Sequence, residues 1–322
     1  MDGRVKWGVL GTANIAKWCT IPGMQEANNC ELYAIAGRSL EKAELFKEQY
    51  GFEKAYGSYD ELIEDKEVQA LYLPLPNHLH LPWVTKALKA GKHVLCEKPL
   101  AINASEAEEM FQVAEENGVY LMEAFAYLHS PYVASLKEDI QSGILGEIEY
   151  IESAFIGQEF TEDFRLHRAY GGGAIYDLGV YSSSMILSLV DSEVDFAKAV
   201  YEMGGEDVDI HSACIMRFAN GVRASFNAGF LFKSGSNARF DRLYIHGSRA
   251  DIRSEVEYNQ SGDFSYRIIT KEGEIVRNIS APSNYRLEVE QLGRCILDGE
   301  KPLITPEFSI KNARLLDRIL PD

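Results

Sequence analysis

The 322-residue chain has no long apolar run, no paired cysteine spacing, no low-complexity tract and no excess of basic charge. Each absence removes a class of protein. Without ~18 consecutive apolar residues there is no membrane-spanning helix, and the opening MDGRVKWGVLG lacks the layout of a signal peptide. The five cysteines, at 19, 30, 96, 214 and 295, are odd in number and scattered. They suit reduced thiols in the cytoplasm, not a disulfide frame. A formal net charge of −17 argues against a nucleic-acid partner, which would need clustered Lys and Arg. A small anion remains admissible, because a helix N-terminus with one or two basic side chains binds phosphate locally.

What is present is an ordinary globular composition, 46% hydrophobic and 25% charged, over a length that favours two domains. The first third alternates short β-rich runs with helical patterns. VKWGVL (5–10), CELYAIAG (30–37), QALYLPLP (69–76), HVLCEKP (93–99) and VYLMEAF (119–125) read as strands. Between them, helical periodicity runs over 39–51, 81–91 and 104–118, and Ser58 with Glu61 forms a capping-box pattern. Such alternation predicts a doubly wound parallel sheet over residues 1–123. From 124 to 322 long β-like runs follow one another, with Asn220-Gly221 as a hairpin signal, which predicts an α+β domain on a large, mostly antiparallel, open-faced sheet. The helical insertion 171–190 lies between the first two of these runs. The last helix, about 308–320, either stays with this domain or packs back on the first.

The phosphate loop is short of glycine. GVLGTANIA (8–16) follows the first strand and opens a helix, aligning to G-x-G-x-x-G/A as Gly11-Thr12-Ala13-Asn14-Ile15-Ala16. Gly11 permits the turn, Ala13 stands where glycine is usual, and Ala16 allows close helix–strand packing. By itself the loop reads equally as a cofactor cradle or an ordinary βα turn; its place at the start of a βαβ unit favours the cradle. At the end of the second strand, where a carboxylate normally grips the ribose of NAD, the chain reads Gly37-Arg38-Ser39. An arginine and a hydroxyl there favour the 2′-phosphate of NADP over NAD. The alternative is a strand-end turn with a solvated arginine.

Two further stretches carry chemistry. In CEKPLA, Lys98 precedes Pro99 just past a strand end, where open α/β sheets bind ligands. In GGGAIYDLGVYSSS, Asp177 and Tyr181 lie four apart and share a face if the segment is helical. A phenol becomes a useful general base when a nearby ammonium favours the phenolate, and Lys98 is a candidate for that ammonium. Taken from pattern alone, Asp177 as a helix cap and Tyr181 as a packing aromatic fit as well or better.

Taken together, the loop at residue 11, YLPLPNHLH (72–80), CEKPLA, MEAFAY (122–127), GGGAIYDLGVYS and FSIKNARLLD resemble, in order and over nearly the whole chain, the glucose–fructose oxidoreductase, inositol dehydrogenase and MocA (Gfo/Idh/MocA) family. The D-L-G-x-Y form is similar to its dimeric dihydrodiol dehydrogenase and NADP-dependent xylose dehydrogenase branch. The resemblance implies a Rossmann domain and an open-faced α+β domain with the nicotinamide at their junction. It implies Lys98 and Tyr181 as an acid/base pair assisted by Asp177. Gly11, Thr12, Ala13, Asn14, Ile15, Arg38, Ser39, Pro74, Asn77, His80, Glu97 and Lys98 would line the cofactor, with Arg165 reaching it from the second domain. Phe125, Tyr127, Tyr132 and Phe164 offer a stacking wall, although core packing explains each equally well. The expected activity is hydride transfer between NADP(H) and a sugar, cyclic polyol or dihydrodiol, in a cytoplasmic homodimer or higher homo-oligomer. A nucleotide-sensing regulator without turnover and a sugar-transforming enzyme with tightly bound cofactor are the rival readings. His78 and His80 are not read as a metal site, for they diverge at a helix start and lack partners.

Overall fold

The computed structural model describes residues 3–233, 235 and 238–321. Six short apolar segments form one sheet: β1 (Val5–Leu10), β2 (Cys30–Ala36), β3 (Lys54–Tyr56), β4 (Ala70–Leu73), β5 (His93–Glu97) and β6 (Leu121–Ala124). All pairs are parallel, in the order β3-β2-β1-β4-β5-β6. β4 is buried along its whole length, as a strand covered on both faces must be. The connecting helices are α1 (Ile21–Glu26), α2 (Leu40–Tyr50), α3 (Tyr59–Glu64), α4 (His80–Lys89) and α5 (Ala104–Glu116). Their ends follow the sequence signals. The Ser39 and Ser58 side chains accept the Lys42 and Glu61 amides, and Gly51 closes α2 at φ +81°. Strand order reverses between β1 and β4, which opens a crevice at their carboxyl ends.

The chain divides into two compact units, residues 1–126 with 283–311, and 127–282 with 312–322. The expected boundary at 123 falls at 126, residues 283–298 return to the first unit, and the last helix, for which either domain was open, is divided between the two. The segment that returns contains α8 (Asn284–Asp298), which Ser283 caps and which buries Val289, Leu292 and Cys295. α8 packs on α1, where Gly23 permits the approach: a Cβ there would lie 2.7 Å from the Arg286 nitrogen. α9 (Pro306–Ile319) is shared, its residues 306–311 belonging to the first unit and 312–319 to the second.

The second unit contains α6 (Pro131–Gln141), α7 (Val180–Leu189) and eight strands: β7 (Ile148–Gln158), β8 (Val194–Gly204), β9 (Val208–Phe218), β10 (Arg223–Phe232), β11 (Phe240–Gly247), β12 (Asp251–Ser254), β13 (Gly262–Ile269) and β14 (Glu274–Ala281). The order is β14-β13-β12-β11-β7-β10-β9-β8, antiparallel except for the central β7–β10 pair. Alternation sets its two faces. In β9, Cys214, Met216 and Phe218 are buried while Ile215 is 58% exposed. α7 covers the buried face against β7 and β10. Asn220-Gly221 makes the β9–β10 turn, with the Phe218 amide donating to the Val222 carbonyl. Among the described residues no helix is long and apolar enough to cross a membrane.

Candidate active site

Gly11 adopts φ +127°, and its N–H donates to the Ala36 carbonyl at 2.9 Å. A Cβ there would meet Leu75 Cδ2 at 3.2 Å, Tyr59 Oη at 3.7 Å and Pro74 Cγ at 3.8 Å. The glycine thus faces the loop after β4, at the reversal of strand order. Thr12, Ala13 and Ile15 are half-buried and Asn14 is exposed. The helix begins at Asn14, runs through a π-helical turn over Ala16–Thr20 and continues as α1. Lys17 N–H is donated to Ala13 O, so the amides of the first turn precede any intrahelical acceptor.

Gly37 brings the end of β2 against this loop; a Cβ on it would lie 3.1 Å from Ser39 O and 3.6 Å from Thr12 Cγ2. Arg38 beyond it is exposed. Burial pushes the Tyr59 phenol up and the Arg38 charge opposes that push, which brings the two side chains into one neighbourhood. Tyr59 also meets Trp83 edge-on, ring centres 5.0 Å apart. A turn without a side chain and open first-turn amides fit a dinucleotide.

At the end of β5 the chain turns through Lys98 and Pro99, joined by a cis peptide bond. Glu97 Oε1 accepts the Tyr72 hydroxyl at 2.5 Å, and Tyr72 in turn accepts Thr20 Oγ1 at 2.9 Å. His80 was expected to touch the cofactor, but it is fully buried. Its Nδ1 lies 3.0 Å from Pro99 O and 3.2 Å from Leu100 O, and Nε2 lies 2.8 Å from Leu75 O. The imidazole ties the two loops together and acts on the site through their backbone. Phe125 is likewise no stacking wall: it is fully buried, edge-on to Phe308 at 6.1 Å. Asn77, 7% exposed, begins a 3₁₀ turn ahead of α4.

In the second unit, glycines set the entrance to the helical insertion. The Gly173 amide donates to Arg165 O at 2.8 Å, and a Cβ on Gly172 would lie 2.4 Å from the same oxygen. Arg165 follows from this wrapping: it pairs with Asp163 and Asp177, each at 2.9 Å, and lies over the rings of Phe160 and Phe164. Burial opposes its charge, yet Asp177 and Asp163 hold its pKa above the ordinary value. Asp177 lies in a π-helical turn, Ile175–Gly179, and Tyr181 in the first turn of α7. The Tyr181 ring is wedged among Tyr258 at 5.2 Å, Phe155 at 5.3 Å and Tyr127 at 5.5 Å. Tyr127 belongs to the core beneath it, fully buried, with its hydroxyl on Tyr181 O and Ser184 Oγ. Tyr132 is 2% exposed and bonded to Ser254, so it too is a core residue.

Arg239 was not foreseen. Its guanidinium lies 4.3 Å from the Phe155 ring centre and grips buried Asp241, which also accepts the Tyr258 amide. Burial opposes its charge, while Asp241 chiefly, with Glu257 and Tyr181, holds its pKa above the ordinary value. An arginine two residues before an aspartate in a strand-like run gives no signal of such a neighbour. Tyr59, hidden in a capped helix, was equally unmarked.

Residues 5–125 match the oxidoreductase family with an NAD-binding Rossmann fold, GFO_IDH_MocA, and residues 133–253 match the GFO/IDH/MocA C-terminal domain. The chain belongs to the Gfo/Idh/MocA family. It is an NAD(P)-dependent oxidoreductase. Its relatives include a D-xylose 1-dehydrogenase (NADP(+)) of Haloferax volcanii, 30% identical over 97% of this chain and 95% of the relative. A dTDP-3,4-didehydro-2,6-dideoxy-alpha-D-glucose 3-reductase of Actinomadura kijaniata is also 30% identical, over 98% of this chain and 94% of the other. The crystal structure of a 3-ketoreductase from Actinomadura kijaniata, in complex with NADP and TDP-benzene, superposes with a TM-score of 0.90 at 29% identity, covering 98% and 97% of the two chains. Against that family, the two-domain expectation of a parallel Rossmann sheet and a mostly antiparallel second sheet holds for this oxidoreductase.

Proposed function

We propose that the enzyme moves hydride between NADP(H) and a carbonyl or secondary alcohol of a sugar, cyclic polyol or dihydrodiol, with Lys98 and Tyr181 as the acid/base pair. The observation that carries this reading is the fixed setting of Tyr181. Three aromatic rings pack around it, the Tyr127 hydroxyl donates to its backbone carbonyl, and Asp177, one turn earlier, is anchored by Arg165. A packing aromatic needs no such anchored carboxylate before it. Bound NADP(H) supplies or takes the hydride. In oxidation Tyr181 accepts the hydroxyl proton of the substrate, and in reduction it returns one. The Lys98 ammonium favours the phenolate, and Asp177 hydrogen-bonds the tyrosine or the substrate. Gly11, Thr12, Ala13, Asn14 and Ile15 hold the pyrophosphate, Arg38 and Ser39 the 2′-phosphate, and Pro74, Asn77 and Glu97 line the cofactor. Arg165 serves the site by fixing Asp177.

Two relatives named for NADP or bound to it support the cofactor preference. Titration with NADPH and NADH, then turnover of D-xylose, inositol and a trans-dihydrodiol, tests the assignment on wild type, Lys98→Met and Tyr181→Phe. Loss of turnover with nucleotide binding retained is expected in both variants. Unchanged turnover in both would remove them from proton transfer. Arg38→Ala is expected to weaken NADPH about 10- to 100-fold, as loss of a charged hydrogen bond does, and to spare NADH. Tighter binding of NADH than of NADPH by the wild type would refute the preference.

A further inference from the structure

In the second unit His167 is an extended residue, φ −121° and ψ 116°, between the 3₁₀ turns 164–166 and 168–170. The peptide groups that these turns leave over bond in two directions. On one side the carbonyls of Arg165 and His167 accept the Gly173 and Gly172 amides, at 2.8 and 3.1 Å. On the other, the Leu166 carbonyl accepts the Glu206 amide at 2.9 Å, and the Arg168 amide donates to the Glu206 carbonyl at 3.4 Å. These last two bonds make a parallel bridge between His167 and Glu206, in the turn that joins β8 to β9. The side chains add to it, with His167 Nδ1 2.9 Å from Glu206 Oε2 and Arg168 Nη1 3.1 Å from Asp207 Oδ2. The turn fits only without a side chain at 205. Gly205 has φ +56°, and a Cβ on it would lie 2.7 Å from the Leu166 carbonyl oxygen. Asp207 completes the turn at φ +60°, a left-handed conformation that aspartate tolerates better than most residues.

What this clamp carries is Arg165, whose guanidinium pairs with Asp163 and Asp177, 2.9 Å from each. A long side chain gives up rotamer freedom to hold one geometry, so aiming it at a single carboxylate requires a fixed backbone beneath it. We propose that the β8–β9 turn, through Gly205 and Glu206, is the positioning element that holds Arg165 against Asp177. This rests on the reading of Asp177 as an assisting group at Tyr181 and extends it by naming what fixes that group from outside its own helix. The Glu206 side chain is 73% exposed, so its pair with His167 contributes little stability by itself. The backbone bridge is the stronger tie, and Gly205 is the position that decides whether it closes.

In Gly205→Ala the added methyl presses on the Leu166 carbonyl and opens the bridge. Arg165 then loses its fixed setting, and the Asp177 midpoint is expected to rise by about 0.5–1 pH unit, roughly a three- to tenfold change in the acid constant. Carboxyl-carbon NMR of the whole protein over a range of pH reads this, with Asp177→Asn identifying the resonance. Gly221→Ala is the control, because Gly221 also has a positive φ but a Cβ on it meets nothing within 4 Å. Its Asp177 midpoint is expected to match wild type. Turnover in Gly205→Ala is expected to fall through kcat, with NADPH affinity unchanged. Where Gly205→Ala does not fold, Glu206→Gly, which drops the bond to His167 and loosens the turn, is expected to move the Asp177 midpoint the same way. A midpoint unmoved in the variant that folds, or moved equally by Gly221→Ala, overturns the proposal. A raised midpoint with unchanged turnover would instead refute the role of Asp177 in the reaction and leave the clamp standing.

Discussion

Gly173→Ala offers a severe test of how the second unit positions Asp177 and Tyr181. Gly173 has φ +121°, and an added Cβ would stand 2.3 Å from Asp209 Oδ1. Asp209 is 1% exposed, and its Oδ2 accepts the Ile175 amide at 2.8 Å and the Ser212 hydroxyl at 2.6 Å. The alanine therefore strains the backbone, by about 1–3 kcal/mol, and displaces a carboxylate whose hydrogen bonds are worth about 1.5–3 kcal/mol each. Together these predict a loss of about 3–5 kcal/mol, or a shift of about 1.5–2.5 M in the urea midpoint for a slope near 2 kcal/mol/M. Gly221→Ala is the control, because Gly221 also has a positive φ, +91°, but a Cβ on it meets nothing within 4 Å. Only the backbone cost is expected there. Urea unfolding followed by tryptophan fluorescence and far-UV circular dichroism measures both variants. Equal midpoints for the two would show that Asp209 yields without cost, and the account of the Ile175 anchor would fall.

Stability should also depend on pH through Glu123. Its folded pKa, about 7, lies above the ordinary carboxyl value of 4.5, so the native state holds the proton more tightly. The contribution is full below about pH 4.5 and is lost as pH rises to about 7. Glu123→Gln should therefore gain stability relative to wild type between pH 5 and 8, by up to about 3 kcal/mol, measured by denaturant titration at each pH. A difference independent of pH would contradict this. Tyr72→Phe strips the hydroxyl that joins Thr20 to Glu97 and should cost about 1–3 kcal/mol, with loss of Thr20 order visible by methyl NMR. An unchanged unfolding midpoint would show that water replaces the hydroxyl.

Much of the architecture was legible in advance because it rests on local signals. Alternating strand and helix patterns, the cap at Ser58, and the Asn220-Gly221 turn depend on neighbours within a few residues. What escaped notice depends on distant partners. α8 has an ordinary amphipathic pattern that says nothing about which sheet will receive it, and it joins the first unit from 283 onward. His80, Phe125, Tyr127 and Tyr132 have the residue types of a ligand wall, but burial assigns them to the scaffold. Ser39, read as a phosphate donor, also caps α2. Arg239 gains its interest from Phe155 and Tyr181, some eighty and sixty positions away, respectively; no window of sequence joins them.

The wide turn at Ile175–Gly179 has a consequence for how this stretch can vary. A π-helical turn accommodates one residue more than regular winding allows. Loss of a single amino acid between 177 and 181 would let the coil close to ordinary pitch and swing the carboxylate about 100° around the axis relative to the phenol. Substitutions there that leave Asp177 in place keep the winding, whereas a change in residue count alters the angle between the two groups at once.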